Sequence, residues 1–134
     1  MATENKLIRN DILYPELSYK IVGILFGVDN ELGYGYQEKY YQKAISKKLQ
    51  ELNMPFKEQV LIKIISNTNE IGRYFLDFLI EDKIILEIKK TDKFLKSNID
   101  QTYAYLKATG LELCILANFT KSGVQYKRII NLKS

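Results

Sequence analysis

The stretch FLDFLIEDKIILEIKK, residues 75–90, reads as two short strands, RYFLDFLI and KIILEIKK, joined at the charged residues Glu81, Asp82 and Lys83. Its apolar run is interrupted by Asp77, Glu87 and Lys89, each of which is costly to bury alone. With the turn centred on Asp82, Asp77 and Glu87 lie equally far from the centre and oppose one another, which brings their Cβ atoms to about 5 Å. Side chains alternate along a strand, so Lys89 shares a face with Glu87 and therefore with Asp77. The other positions are apolar on both faces: Leu76, Phe78, Ile80, Ile84, Leu86 and Ile88 on one, Phe75, Leu79 and Ile85 on the other. Such two-sided apolarity predicts a central strand pair covered from both sides.

Two carboxylates pressed together repel, so that one takes up a proton or both share a cation. A hard divalent ion with oxygen ligands, Mg²⁺ or Mn²⁺, resolves the conflict and leaves coordination positions for water and a phosphate oxygen. Lys89 then orients or helps deprotonate an attacking water and stabilises negative charge in the transition state. On spacing alone the alternative is a salt-bridged surface hairpin in which Lys89 neutralises Glu87 or Asp77.

Upstream, Leu17, Ile21, Ile24, Leu25, Val28 and Leu32 recur at helical spacing up to Gly33, and Tyr41, Ala44, Ile45, Leu49 and Leu52 mark a second helix closed by Asn53 and Pro55. FKEQVLIKIIS predicts a strand, and the polar cluster SNTNEIG after it a turn. Downstream, a third helix is expected from Ser97, with Ser97 or Asn98 as its cap and Gly110 at its end. Its inward stripe is Ile99, Tyr103 and Leu106, which puts Gln101 and Tyr105 together on a different face. The strands LELCILANF and VQYKRIINL follow, separated by TKSG. The predicted order is ααβββαββ, a single domain over residues 16–134 after a polar segment over residues 1–15.

The 134 residues carry a net charge of +4 and include no histidine, which excludes Ser/His/Asp and Cys/His triads and HExxH zinc sites. Carboxylates, Lys, Arg and Tyr remain for chemistry. Cys114 is the one cysteine and lies in an apolar run, as a small core residue does. The basic balance permits binding to a polyanion, and Lys90, Lys93 and Lys96 of KKTDKFLK are candidates to guide a phosphate backbone; otherwise they form a solvated face. No segment approaches the roughly 18 apolar residues of a membrane span, and the N-terminus lacks the order of a signal peptide, so the expected location is the cytoplasm.

The spacing of Asp77 and Glu87-Ile88-Lys89 resembles the D-X(n)-EXK signature of the PD-(D/E)XK nuclease superfamily, here as D-X9-EXK. GYQEKYY, residues 35–41, fits the pattern G-x-x-E-x-x-Y. With LSYKIVGILFGVDNELG before it and DQTYAYLKATGLELCILANF and KRIIN after it, the chain resembles the GxxExxY family of that superfamily over roughly residues 17–131. The resemblance implies an α/β (α+β) restriction-endonuclease-like core, a mixed central sheet of about five strands flanked by helices. It implies metal ligation by Asp77, Glu87 and the backbone carbonyl of Ile88, a water-positioning role for Lys89, and a contribution from Glu38. Gln101 and Tyr105, within QTYAY, match a Q-x-x-x-Y pattern that orients the substrate strand. The implied activity is Mg²⁺- or Mn²⁺-dependent hydrolysis of phosphodiester bonds in nucleic acid, DNA rather than RNA, as an endo- or exonuclease. Further expectations are a homodimer or a larger DNA-processing complex and no membrane partner. The alternatives are a nucleic-acid-binding or repair-associated module active only with a partner, and a protein-interaction domain with a vestigial site. No base-reading motif is present in the sequence, so no sequence specificity is expected.

Overall fold

The computed structural model describes residues 13–132, and the polar segment expected over residues 1–15 lies outside that range apart from residues 13–15. Helices α1 (Pro15–Leu32) and α2 (Glu38–Glu51) precede strands β1 (Phe56–Ser66), β2 (Asn69–Ile80) and β3 (Ile84–Lys89). Helix α3 (Lys96–Thr109) and strands β4 (Leu113–Thr120) and β5 (Gly123–Ile130) follow, giving the order ααβββαββ among the described residues. One five-stranded sheet runs β1-β2-β3-β4-β5, antiparallel throughout except between β3 and β4. The parallel pair needs a crossover, and α3 supplies it.

The helices cover both sheet faces because their apolar positions repeat at helical spacing. Ile21, Ile24, Leu25 and Val28 of α1 and Tyr41, Ile45 and Leu49 of α2 are buried against Phe78, Ile80, Leu86, Ile88, Ile115 and Phe119. On the opposite face Tyr105 and Leu106 of α3 pack with Ile62, Leu76, Ile85, Cys114 and Leu116. Every residue of β4 is buried, as a central strand covered on both faces requires. Cys114 belongs to this core.

Tyr41 ties the junction between α1 and α2 to the core. Gly35 takes φ +120°, a region closed to most L-residues, while the Tyr41 hydroxyl donates to the Gly33 carbonyl at 2.6 Å. The same hydroxyl accepts the Tyr36 N–H at 3.4 Å, and the Tyr41 ring stacks on Phe119 with centroids 4.1 Å apart.

Four local expectations are corrected. Asn67 and Thr68 both adopt left-handed conformations and make a two-residue hairpin turn, so Asn69–Gly72 belong to β2 instead of a longer turn. Helix α3 begins at Lys96 with Leu95 at the cap position, where the Leu95 carbonyl accepts from the Asn98 and Ile99 N–H groups; neither Ser97 nor Asn98 caps it. Tyr103 is 44% exposed, and Thr102 and Tyr105 take the inward face with Leu106.

The fourth concerns the faces of β1 and β2. Leu76 does not lie with Phe78: Tyr74 and Leu76 pack beneath α3, whereas Phe78 and Ile80 pack beneath α1 and α2. Strand β1 changes face at the same level, from Phe56 on the α1–α2 side to Val60 and Ile62 on the α3 side. The ladder pairs Glu58 with Phe78 and Val60 with Leu76, skipping the level of Gln59 and Asp77, and Gln59 has φ +49°. The left-handed Gln59 interrupts the alternation of side chains in β1, and β2 changes face at the same level. Phe75 is consequently left 53% exposed beyond the helices.

Replacing Tyr41 by Phe removes the bond to Gly33 while keeping the ring, and is expected to cost about 1 kcal/mol in urea denaturation. Tyr41→Ala also opens a cavity against Phe119 and is expected to cost about 3–5 kcal/mol.

Candidate active site

Strands β2 and β3 pair as Ile80–Ile84, Leu79–Ile85 and Phe78–Leu86, continuing the register that sets Asp77 opposite Glu87. Beyond that pair the two side chains replace the main-chain ladder. The Asp77 N–H donates to Glu87 Oε1 at 2.9 Å, and the Ile88 N–H donates to Asp77 Oδ2 at 2.8 Å. Each carboxylate therefore spends one oxygen on the neighbouring strand's amide, which fixes both groups side by side.

The pair is electrostatically frustrated. Glu87 is 3% exposed, and burial, followed by the Asp77 charge, pushes its carboxyl up to about 8, against the pull of the Asp77 N–H and of Lys89. Burial also raises Asp77; the Ile88 N–H and the Lys89 charge oppose that shift, Glu38 adds to it, and the Gln59 side chain opposes it. Among the described residues no ion pair joins Lys89 to either carboxylate. The salt-bridged hairpin is thus not the arrangement found.

Glu38 is the first residue of α2 and stands within electrostatic reach of Asp77. Lys89 ends β3, half-buried, and pairs with Asn118 across the parallel ladder. The Ile88 side chain points into the α1–α2 core. Tyr105 is buried edge-on to Tyr74 with centroids 5.0 Å apart, and burial followed by the charges of Glu87 and Asp77 raises its phenol. Gln101 is half-buried on the same helix and borders an open recess with Tyr74, Ser97 and Asn98. The expected shared face of Gln101 and Tyr105, apart from the inward stripe, is not found, because Tyr105 itself packs inward.

Of the three candidate lysines, Lys90 lies half-buried with its ammonium 5.4 Å from the Tyr34 ring centroid, and Lys93 is exposed. Lys96 pairs with Asp100 at 3.1 Å on the surface of α3. Both side chains of that pair are exposed, so the Lys96 ammonium stays open to solvent.

Two residues escaped the sequence reading. Gln59 acts on Asp77 and also donates through Nε2 to Gln42 Oε1 of α2 at 3.3 Å. Its left-handed backbone has no sequence signal, since Gln has no preference for that region. Asn118 is fully buried beside Lys89, its Oδ1 accepts the Thr91 N–H at 2.7 Å, and its Nδ2 has no hydrogen-bond partner among the described residues. A buried amide in the otherwise apolar run LCILANF was the available clue.

Residues 15–129 match the PD-(D/E)XK nuclease superfamily, and the chain belongs to it. Two solved structures share its fold. The crystal structure of SSO0001 matches with a TM-score of 0.54 and 19% identity, over 72% of this chain and 50% of that one. An alkaline exonuclease from Laribacter hongkongensis matches with a TM-score of 0.50 and 18% identity, over 65% of this chain and 52% of that one. The chain thus spans about half the length of these structures. No curated protein matches it. Among the described residues no helix is long and apolar enough to cross a membrane.

The raised Glu87 carboxyl carries a stability consequence. Between its ordinary value near 4.5 and about 8 the unfolded chain gives up a proton that the folded protein keeps, so the metal-free protein loses stability as pH rises through this window. Glu87→Gln keeps an acceptor for the Asp77 N–H and removes the charge. It is expected to melt at least about 5 °C above the wild type at pH 8 in EDTA, with the gap closing towards pH 4.5. Parallel melting curves across that range would mean that Glu87 titrates normally.

Proposed function

We propose that the protein is a metal-dependent nuclease that hydrolyses phosphodiester bonds of DNA, built as one domain over residues 16–134. The reading rests on superfamily membership and, within this molecule, on one observation: two carboxylates locked together by their partners' amides where β2 and β3 part, with neither in an ion pair among the described residues. One fold neighbour is an alkaline exonuclease, which agrees with the class. Within the superfamily we place the chain in the GxxExxY family on Gly35, Glu38 and Tyr41, with Tyr41 as the pillar of the helix junction.

The donor set fits a hard divalent ion. Among the described residues no group of three His, Cys, Asp or Glu side chains is assembled to hold a metal, which argues against a closed structural site. Two carboxylates, the Ile88 carbonyl and water suit Mg²⁺ or Mn²⁺, ions that retain several waters and take one or two protein carboxylates. When bound, such an ion supplies Lewis-acid charge and lowers the pKa of water. Asp77 and Glu87 would hold it through the oxygens their amide bonds leave over.

The remaining roles fall to the chain itself. Lys89, on the carboxylate face, orients the attacking water and stabilises charge that develops on the phosphoryl oxygens. Gln59 and the Ile88 N–H hold the Asp77 carboxylate in place, and Glu38 adds negative charge at its edge. Tyr105 closes the α3 side, while Gln101, together with Lys90, Lys93 and Lys96, meets the substrate strand. The expected setting is cytoplasmic.

Asp77→Asn and Lys89→Ala, compared with wild type on end-labelled DNA and RNA in Mn²⁺, Mg²⁺ and EDTA, test the assignment. Removal of a principal catalytic group is expected to lower the rate by at least about 10³-fold while the melting temperature is kept or raised. Metal-independent cleavage, or full activity in Asp77→Asn, would contradict it.

A further inference from the structure

The junction between α1 and α2 presents three tyrosines that the core does not use. Tyr34, Tyr36 and Tyr40 are 38%, 46% and 44% exposed. Tyr36 meets Tyr40 and Tyr41 edge to face at 6.2 and 6.3 Å. Tyr41, stacked on Phe119 and bonded to Gly33, ties this aromatic ridge to the core, so the rings are presented on a fixed base.

Lysines accompany the rings. Lys90 lies 5.4 Å from the Tyr34 centroid, and Lys39 and Lys43 lie 5.2 and 6.0 Å from that of Tyr40. Among the described residues none of these three ammonium groups is in an ion pair. Flat exposed rings interleaved with unpaired cations complement a ligand that alternates flat rings and negative charge. A duplex turns its base faces inward, so only an unpaired strand can use both features.

The ridge adjoins the carboxylate site from two directions. Glu38, whose charge reaches Asp77, lies between Tyr36 and Tyr40 in the chain. Lys90 directly follows Lys89 in the chain, and its ammonium lies over the Tyr34 ring. We propose that Tyr34, Tyr36 and Tyr40, with Lys39, Lys43 and Lys90, form a stacking platform for single-stranded nucleic acid that leads an unpaired strand to Asp77 and Glu87. The proposal rests on the nuclease reading for the destination of the strand, and on the platform's own rings and charges for the binding.

The test measures binding by fluorescence anisotropy with full-length Asp77→Asn protein in EDTA, so that cleavage does not intrude. Single-stranded DNA, a blunt duplex and an abasic strand of the same length are the probes. The single strand is expected to bind more tightly than both others. Tyr36→Ala and Tyr40→Ala, which alter exposed rings, are expected to weaken it about tenfold each, while Tyr36→Phe and Tyr40→Phe retain it. Equal affinity for the intact and abasic strands, or alanine variants that bind as the parent does, would overturn the platform. So would light scattering that shows a dimer dissolved by Tyr36→Ala, which would assign the ridge to a second copy of the chain. Metal-dependent cleavage by the wild type with no loss in the tyrosine variants removes the platform and leaves the nuclease; base-dependent binding without cleavage does the reverse.

Discussion

The exchange of hydrogen bonds between Asp77 and the β3 main chain, and between Glu87 and the β2 main chain, sets the terms for the rest of the molecule. A sheet normally satisfies its amides with carbonyls; here two are satisfied by carboxylates, and the strands part where that substitution occurs. The bonds hold both side chains in one orientation but do not neutralise them, and the surroundings are apolar enough to raise both acids. A closed ion pair with Lys89 would have relieved the strain and left nothing to bind. Without such a pair the site loses stability as Glu87 gives up its proton and, on the nuclease reading, stays open to a divalent cation, the compromise expected of a functional site.

That arrangement depends on how the sheet is covered. Because β1 and β2 exchange faces at Gln59 and Asp77, the same hairpin lines the α1–α2 core at one end and the α3 core at the other. Asp77 stands at the crossing, where groups from both layers reach it: Glu38 from the start of α2 and Tyr105 from α3. Strand β3 ends beside the parallel strand β4, and the loop that follows is pinned by Asn118 to Thr91. The carboxyl ends of parallel strands form the crevice in many open α/β sheets, and the candidate site occupies that position here.

Much of this was legible in the sequence, for identifiable reasons. The element order followed from periodicity and glycine or proline punctuation, since long apolar repeats leave little choice of partner. The opposition of Asp77 and Glu87 followed from the symmetry of a short charged turn, and the shared face of Glu87 and Lys89 from alternation within one strand. What failed were inferences that needed alternation to hold along a whole strand. Alternation breaks at the level of the left-handed Gln59 and of Asp77, beyond which Leu76 lies on the α3 side and Phe75 is exposed. On α3, Tyr103 and Tyr105 are chemically alike and two positions apart, and only the packing against Tyr74 decides which of them turns inward. The role of Leu95 at the start of α3 depends on its main chain and has no side-chain signature.

The central claim, that the carboxylate pair awaits a divalent cation, is most directly tested by titrating Mn²⁺ into the wild-type protein and Asp77→Asn and following free Mn²⁺ by electron paramagnetic resonance. Saturable binding near one ion per chain is expected in the wild type, displaced by Mg²⁺ and lost in the variant. Mn²⁺ that stays free at every protein concentration, or equal binding by the two proteins, would contradict it.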